Sequence, residues 1–165
     1  MVIARSACSV GIISDTHGLL RPEAVQALDG SDLILHAGDV GSEDVLERLR
    51  QIAPVVAVRG NIDSAAWAQQ LPMTTAVELG EHWIWMLHDL TSLDLDPTRS
   101  GFGTVIYGHS HQPAQRTKNG VLYLNPGSAG PRRFRLPISL VRADFSVNPP
   151  AIRFIDLLSG QEFTP

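Results

Sequence analysis

The chain has 165 residues, of which 44% are hydrophobic and 18% are charged, and this composition excludes a disordered or fibrous protein. The 13 Lys and Arg residues against 17 Asp and Glu residues give a formal net charge of −4, so no basic excess is available to hold nucleic acid, and such a partner is unsupported. A single cysteine, Cys8, excludes an internal disulfide, and no apolar run approaches the roughly 18 residues of a membrane span, so we expect a cytoplasmic protein without a membrane partner.

The first half of the chain alternates short apolar runs with amphipathic segments. The apolar runs predict strands over residues 8–14, 33–37 and 55–58. A helix over Pro22–Leu28 begins with a proline, whose missing amide costs nothing at that position. Ser42 is expected to cap a second helix, whose inner face is formed by Val45, Leu46, Leu49 and Ile52. Strands that alternate with helices predict parallel βαβ units.

From residue 74 onward the pattern changes to paired strands. The predicted strands of this half cover Thr74–Leu79, His82–Leu87, 104–107, Ala114–Lys118, 121–124, 138–145 and 151–157. Asn119 and Gly120 form the strongest short hairpin signal in the chain. The predicted fold class is therefore α/β, a two-sheet β-sandwich of mixed sheets flanked by helices.

Polar residues of the types that bind metals follow the predicted strands, where open α/β sheets place their ligands. These residues are Asp15, His17, Asp39, Asn61, His88, His109 and His111. Alternation along an extended segment would turn Asp15 and His17 to one side, and likewise His109 and His111. His36 lies within an apolar run, and we expect it to pack or to support a ligand rather than to bind metal.

The chemistry of this set points to transition metals. Oxygen and nitrogen ligands without cysteine suit Mn, Fe, Zn, Ni or Co better than Ca or Mg. One tetrahedral zinc would take four ligands, so seven candidates predict two divalent ions that share a carboxylate and a water. Gly38, Gly60 and Gly108 would permit the tight turns and close backbone approach that such a site requires.

Five segments, ISDTHG, HAGDV, RGNID, LHD and YGHSH, occur in the order of the ligand motifs of a known family. Through them the chain resembles the calcineurin-like binuclear metallophosphoesterases over nearly its whole length, and in particular the small bacterial and archaeal phosphodiesterases. The Asn-Pro-Gly-Ser segment at 125–128 resembles the turn that closes the domain in the small members. The resemblance implies one metallophosphoesterase domain over residues 1–165, a small phosphate-ester substrate and two divalent ions, with manganese as the favoured metal.

The resemblance also assigns ligands to the two ions. It implies that Asp15, His17, Asp39 and His111 hold one ion, and that Asp39, Asn61, His88 and His109 hold the other. Asp39 would then be the bridging carboxylate. Asp89 stands where the family usually has glycine, and a carboxylate there would crowd or tune the second ion.

Protonation of the leaving group has no assigned residue. The phosphatase branch has a histidine directly after the Gly-Asn motif. Here Ile62 and Asp63 follow that motif, as in the small phosphodiesterases. Asp63 is a catalytic candidate if burial or neighbouring carboxylates keep it protonated, and otherwise it would orient a ligand. Arg132, which lies in a basic segment with Arg133 and Arg135, is the candidate to clamp the substrate phosphate; the alternative is a solvated loop.

The sequence is compatible with two functions, one enzymatic and one non-catalytic. Two cations would lower the pKa of a bridging water from about 15.7 toward neutrality, so that hydroxide attacks phosphorus in line with the leaving oxygen. This predicts a metal-dependent phosphoesterase, and a phosphodiesterase in the first place. The alternative is a non-catalytic protein-interaction scaffold on the same fold, as in the retromer subunit of this family. A serine hydrolase is disfavoured because no G-x-S-x-G motif is present, and exposed sheet edges leave a homodimer open.

Overall fold

Two six-stranded sheets form the protein in a computed structural model, described here for residues 1–4, 8–133 and 135–165. In spatial order, the strands of the first sheet are β1 (Val2–Ile3), β5 (Thr74–Leu79), β6 (His82–Leu87), β7 (Thr104–Ile106), β9 (Val121–Asn125) and β8 (Ala114–Lys118). Those of the second sheet are β12 (Glu162–Phe163), β11 (Ala151–Asp156), β10 (Ser139–Asp144), β2 (Ser9–Ile13), β3 (Leu33–His36) and β4 (Val55–Ala57). Both sheets contain parallel and antiparallel pairs, so the predicted sandwich of mixed sheets is confirmed.

The main hydrophobic core lies between the two sheets. Ile12 and Leu35 of the second sheet contribute to the same buried cluster as Ile84 and Met86 of the first. Side chains alternate across a strand, so Ile13 joins a different cluster on the outer face of the second sheet. Burial of each such side chain contributes about 1.5 to 3 kcal/mol, and the packing of one sheet on the other therefore fixes their relative position firmly.

The helices α1 (Pro22–Leu28) and α2 (Glu43–Arg50) cover the outer face of the second sheet. Pro22 begins α1, as predicted, and Val45, Leu46 and Leu49 of the predicted inner face of α2 are buried. Ile52 of that face lies beyond the end of the helix and is half-buried. Ser42 occupies the N-cap position with extended backbone, but its side chain makes no capping hydrogen bond within the described part of the chain. The predicted capping contact is therefore wrong, although the position of the helix start is right.

The outer face of the first sheet is covered without an α-helix in the described residues. There a 3₁₀-helix over Leu90–Ser92 and the loop that follows bring Leu90 and Leu93 against Val105 and Tyr107. Sequence patterns predicted neither this element, nor the 3₁₀-helix over Ala66–Gln70, nor β1 and β12. Each is too short to show a period in hydrophobicity.

The predicted hairpins are confirmed. β5 and β6 pair across the Gly80-Glu81 turn, with Leu79 opposite His82. β8 and β9 pair across Asn119 and Gly120, which both adopt the positive φ that a two-residue hairpin turn requires. The remaining predicted strands end within a residue of their observed bounds. No helix in the described residues is long and apolar enough to cross a membrane.

Parallel pairing sets the position of the polar loops. β2, β3 and β4 run parallel in the second sheet, and β6 and β7 run parallel in the first. The carboxyl ends of parallel neighbours meet at one edge of their sheet, so the five loops that carry the candidate metal ligands start from two adjacent edges.

Candidate metal centre

The first group of candidate ligands combines loops from both sheets. Asp15 and His17 follow β2, and His111 follows β7. His111 Nε2 lies 3.2 Å from His17 Nε2 and 3.3 Å from Asp15 Oδ1. A tetrahedron with bonds of about 2.1 Å has edges of about 3.4 Å, so these three atoms are spaced to share one ion.

The second group likewise draws on both sheets. Asn61 follows β4, His88 follows β6 and His109 follows β7. Asn61 Oδ1 lies 3.1 Å from His88 Nε2 and 3.0 Å from His109 Nδ1. His88 is buried, and its Nδ1 donates a hydrogen bond to Ala37 O at 2.8 Å, which turns Nε2 toward the group.

Asp39, after β3, lies between the two groups. Its Oδ2 is 3.8 Å from His17 Nε2, and its Oδ1 is 3.3 Å from His88 Nε2. Burial by itself would raise the pKa of Asp39, but hydrogen bonds from His88 and from the backbone N–H of Ile62 lower it overall. An ionised carboxylate with one oxygen toward each group has the position expected of a bridging ligand.

Left-handed backbone brings most of these side chains inward. Five candidate ligands have positive φ: Asp15 (54°), His17 (48°), Asp39 (53°), His109 (67°) and His111 (59°). The one other non-glycine residue with positive φ in the described ranges is Asn119, in the hairpin turn. Such backbone costs a non-glycine residue about 1 to 3 kcal/mol and is concentrated at functional sites. The prediction that extended alternation aligns Asp15 with His17 is therefore wrong in its reason, because tight left-handed turns do so.

Close backbone approach explains the glycines of the motifs. A Cβ atom on Gly38 would lie 2.7 Å from His88 Nδ1, and one on Gly60 would collide with the side chain and backbone of Asp39. At Gly108 an added Cβ would collide with the serine and aspartate side chains that end β2. The predicted role of these three glycines is confirmed by this geometry.

Asp63 holds two ligand loops together. Its Oδ2 accepts hydrogen bonds from the N–H groups of Val40 at 3.1 Å and Gly60 at 2.9 Å, and its Oδ1 accepts one from Gly41 at 2.8 Å. The residue is 3% exposed. Both carboxylate oxygens are occupied by backbone N–H groups, so the side chain is badly placed to donate a proton. Of its two predicted roles, these contacts favour the orientation of ligands over catalysis.

His36 fastens the first ligand loop to the loop after β3. Burial lowers its pKa to about 4, so the imidazole is neutral. Nδ1 accepts a hydrogen bond from Gly38 N–H at 3.2 Å, so Nε2 carries the proton and donates it to Thr16 Oγ1 at 3.0 Å. The Thr16 hydroxyl in turn donates to Val40 O at 2.9 Å. His36 thus has the supporting position that the sequence predicts.

Two serines that the sequence analysis did not single out hold Asp15. Ser14 Oγ donates to Asp15 Oδ2 at 2.7 Å, and Ser128 Oγ donates to the Asp15 carbonyl oxygen at 2.9 Å. Ser14 directly follows the buried strand β2 and lies within the ISDTHG segment. Ser128 belongs to the Asn-Pro-Gly-Ser segment, which was the available signal.

The basic segment approaches the first ligand group through Arg133. Burial is the main cause that lowers the pKa of His17 and the pKa of His111, the latter to about 4, and the positive charge of Arg133 adds to both shifts. Arg132, the predicted phosphate clamp, and Arg133 are both exposed. Because its charge acts on these two histidines, Arg133 is a second candidate beside Arg132.

The donor set fits a divalent ion. Asp15 Oδ1 and His111 Nδ1 are buried without a hydrogen-bond partner among the residues described. Burial raises the pKa of Asp15 to about 6, which shows that its charge is poorly compensated in the metal-free protein. Neutral imidazoles at His17 and His111 have lone pairs available beside that carboxylate. Among the residues described, two sets of acidic and histidine residues converge closely enough for an ion: Asp15, His17 and His111, and Asp15, Asp39 and His88.

Comparison with known proteins identifies the family. Residues 9–148 match the model of the calcineurin-like phosphoesterase superfamily domain, and the chain belongs to this family. A probable metallophosphoesterase of Methanothermobacter thermautotrophicus is 35% identical over 144 residues, which cover 80% of this chain and 83% of that protein. Phosphodiesterase YfcE of Escherichia coli is 30% identical over 139 residues, which cover 70% of this chain and 76% of that protein.

Solved structures show the same fold. The structure of E. coli Yfce superimposes with a TM-score of 0.74 at 24% identity and covers 94% of this chain and 97% of that chain. Vps29 of Entamoeba histolytica complexed with Zn²⁺ superimposes with a TM-score of 0.75 at 23% identity, over 94% of this chain and 96% of that chain.

Replacement of Asp15 by Asn is expected to stabilise the metal-free protein. Between pH 3.8 and about 6, Asp15 is protonated in the folded protein but ionised in the unfolded chain. The free energy of unfolding therefore falls as the pH rises through this window. Asn removes the buried charge and tolerates positive φ. In chelator at pH 7, urea denaturation should show Asp15→Asn to be more stable than the parent by about 1 to 3 kcal/mol. This difference should shrink toward pH 4, and a less stable variant at pH 7 would contradict the assignment.

Replacement of Gly60 by Ala is expected to disrupt the centre. The added methyl group would displace Asp39 from its position between the two ligand groups, so Mn²⁺ affinity measured by titration calorimetry should fall by at least about 10-fold. Gly103→Ala is the matched control, because no atom lies within 4 Å of a Cβ at that position. Equal affinities of the two variants would show that Gly60 does not control the site.

Proposed function

We propose that this member of the family is a metal-dependent phosphodiesterase that hydrolyses a small phosphate ester. The observation that carries the proposal is the position of Asp39 between two ligand groups, with one oxygen toward His17 and the other toward His88. When bound, two divalent ions, with manganese as the favoured metal, would activate a bridging water for in-line attack and neutralise the charge that develops on the phosphoryl oxygens.

The protein's own groups would orient the substrate. Arg133 would bind a non-bridging phosphate oxygen, since its charge acts on the first ligand group. A cavity of about 440 Å³, lined by Asn61, His88, His109 and Met73, would receive the substituent of the ester on the side of the second group. Asp63 and His36 would keep the ligand loops rigid through their hydrogen bonds to the backbone and to Thr16.

Preference for a diester is supported by the residues that follow Asn61. Ile62 and Asp63 stand there, where the phosphatase branch carries a histidine. Ile62 has a hydrocarbon side chain without an acidic proton, and Asp63 is occupied by three backbone N–H groups. Neither residue therefore offers a proton to a leaving oxygen. Aryl diesters have good leaving groups that need little protonation, which makes them suitable test substrates.

Substitution of ligands is expected to abolish hydrolysis. With Mn²⁺ present, Asp39→Ala and His109→Ala should each lower kcat/KM for bis-para-nitrophenyl phosphate by more than about 100-fold, because each removes a ligand. The release of nitrophenolate measures the rate. The parent should also cleave this diester faster than para-nitrophenyl phosphate.

Matched controls separate this loss from general effects of the substitutions. Asp44→Ala removes an exposed carboxylate in the first turn of α2, and His82→Ala removes a histidine that packs on Phe145 away from the centre. Both should stay within about 2-fold of the parent, since neither touches the ligand groups. Activity that survives both Asp39→Ala and His109→Ala would end the proposal.

The scaffold alternative is supported by the likeness to Vps29, which is as close in fold as the likeness to Yfce. Because the Entamoeba Vps29 structure is itself a complex with Zn²⁺, metal binding does not distinguish the two functions. The complete set of seven ligand-type residues at this centre favours catalysis. A protein that binds metal but hydrolyses no phosphate ester, and that co-purifies with a protein partner, would favour the scaffold.

The two arginines can be compared directly. Arg133→Ala is expected to lower kcat/KM for the diester by about 10-fold, mainly through a higher KM, because a charge-assisted contact to phosphate is lost. Arg132→Ala should have the smaller effect, since Arg133 is the one whose charge acts on His17 and His111. Steady-state kinetics of both variants check this, and a larger effect at Arg132 would restore the original assignment.

A further inference from the structure

Asp89, the residue that follows His88, faces the outer nitrogen of a candidate ligand. His109 directs Nδ1 toward Asn61 Oδ1 at 3.0 Å, within the second ligand group. Its other nitrogen, Nε2, lies 4.0 Å from Asp89 Oδ2, within ion-pair range. The Asp89 carboxylate therefore faces the ring nitrogen of His109 that points away from the second ligand group. Asp89 lies behind His109 and is not itself one of the ligands.

The Asp89 carboxylate is held in place by the element that it begins. Asp89 is the N-cap of the 3₁₀-helix Leu90–Ser92, and its Oδ1 accepts a hydrogen bond from Thr91 N–H at 2.9 Å. This bond leaves Oδ2 directed toward His109. The side chain is 34% exposed, so its charge is only partly screened by solvent.

The second ligand group has a deficit of negative charge. Of the residues assigned to it, Asp39 is the single carboxylate and is shared with the first group, whereas Asn61, His88 and His109 would bind an ion through uncharged ligand atoms. Asp15, which also comes within ligand distance of Asp39 and His88, is assigned to the first group. The first group has Asp15 in addition to Asp39. A fixed carboxylate next to the second group would therefore add most to the binding of the second cation.

We propose that Asp89 is a positioning residue that strengthens the binding of the second divalent ion through His109. The carboxylate favours the tautomer with the proton on Nε2, which leaves the Nδ1 lone pair for the ion, and it orients the ring. Ala37 O acts on the outer nitrogen of His88 through a hydrogen bond of 2.8 Å, whereas Asp89 acts on His109 at 4.0 Å through its charge. The inference rests on the proposed two-ion centre and adds to it the residue that tunes one of the two ions.

The test is a calorimetric titration of the full-length, chelator-treated protein with Mn²⁺. The parent is expected to bind two ions. Asp89→Asn should weaken the second binding event by about 10- to 100-fold and leave the first within about 2-fold, which is the range seen when a carboxylate behind a histidine ligand is removed. Asn can keep the hydrogen bond from Thr91 N–H, so the melting temperature of the metal-free variant should equal that of the parent.

Asp96→Asn is the matched control. Asp96 Oδ1 likewise accepts a hydrogen bond from the N–H two residues on, that of Thr98, but its second oxygen pairs with Arg99 and not with a histidine ligand. This variant should bind both ions as the parent does.

Each other outcome is decisive. An Asp89→Asn variant that binds the second ion as well as the parent, or more tightly because a crowding carboxylate is gone, would overturn the inference. Equal weakening of both ions would show a general structural effect and would overturn it as well. A parent that binds fewer than two ions would instead refute the two-ion centre, and the inference with it, so the two failures are distinguishable.

Discussion

Buried negative charge is the constraint on which this structure depends. Asp15 and Asp39 lie next to one another at the ends of β2 and β3, and the burial of Asp15 raises its pKa to about 6. Desolvation and mutual repulsion both oppose the ionised pair, so these carboxylates cost more free energy of folding than apolar side chains would at the same positions. A divalent cation removes both penalties. Hydrogen bonds compensate the charge of Asp39, whereas the charge of Asp15 stays poorly compensated and would be offset by a divalent cation bound there, which is typical of a centre selected for function over stability.

The packing of the two sheets helps to fix the distances between the candidate ligands. Each ligand group contains residues from both sheets: Asp15 and His17 of the second sheet meet His111 of the first, and Asn61 meets His88 and His109. The distances within a group are thus set by the core between the sheets as much as by the turns. Close packing of that core resists relative movement of the sheets, and this transmits rigidity to the centre.

Sequence reasoning predicted the sandwich, both α-helices, the hairpins and the seven residues that the structure brings together, because each depends on local signals such as periodicity, turn residues and ordered motifs. It did not predict the left-handed backbone of Asp15, for which an extended segment seemed sufficient. It selected Arg132 alone, whereas Arg133 is the arginine whose charge acts on His17 and His111, and a sequence does not show which of two adjacent arginines does so. Ser14 and Thr16 lie within the ISDTHG segment, but the sequence does not show that Ser14 bonds the neighbouring Asp15 or that Thr16 bonds the distant Val40 carbonyl oxygen.

The contacts of Asp63 have a consequence for how the family diversifies. This carboxylate holds the loops after β3 and β4 through main-chain N–H groups alone, those of Val40, Gly41 and Gly60. Every residue type except proline supplies a main-chain N–H donor. The side chain of a neighbour such as the half-exposed Ile62 can therefore vary without loss of the hydrogen bonds to Asp63. Exposed side chains around the centre can thereby differ among family members while the main-chain contacts of its interior stay unchanged.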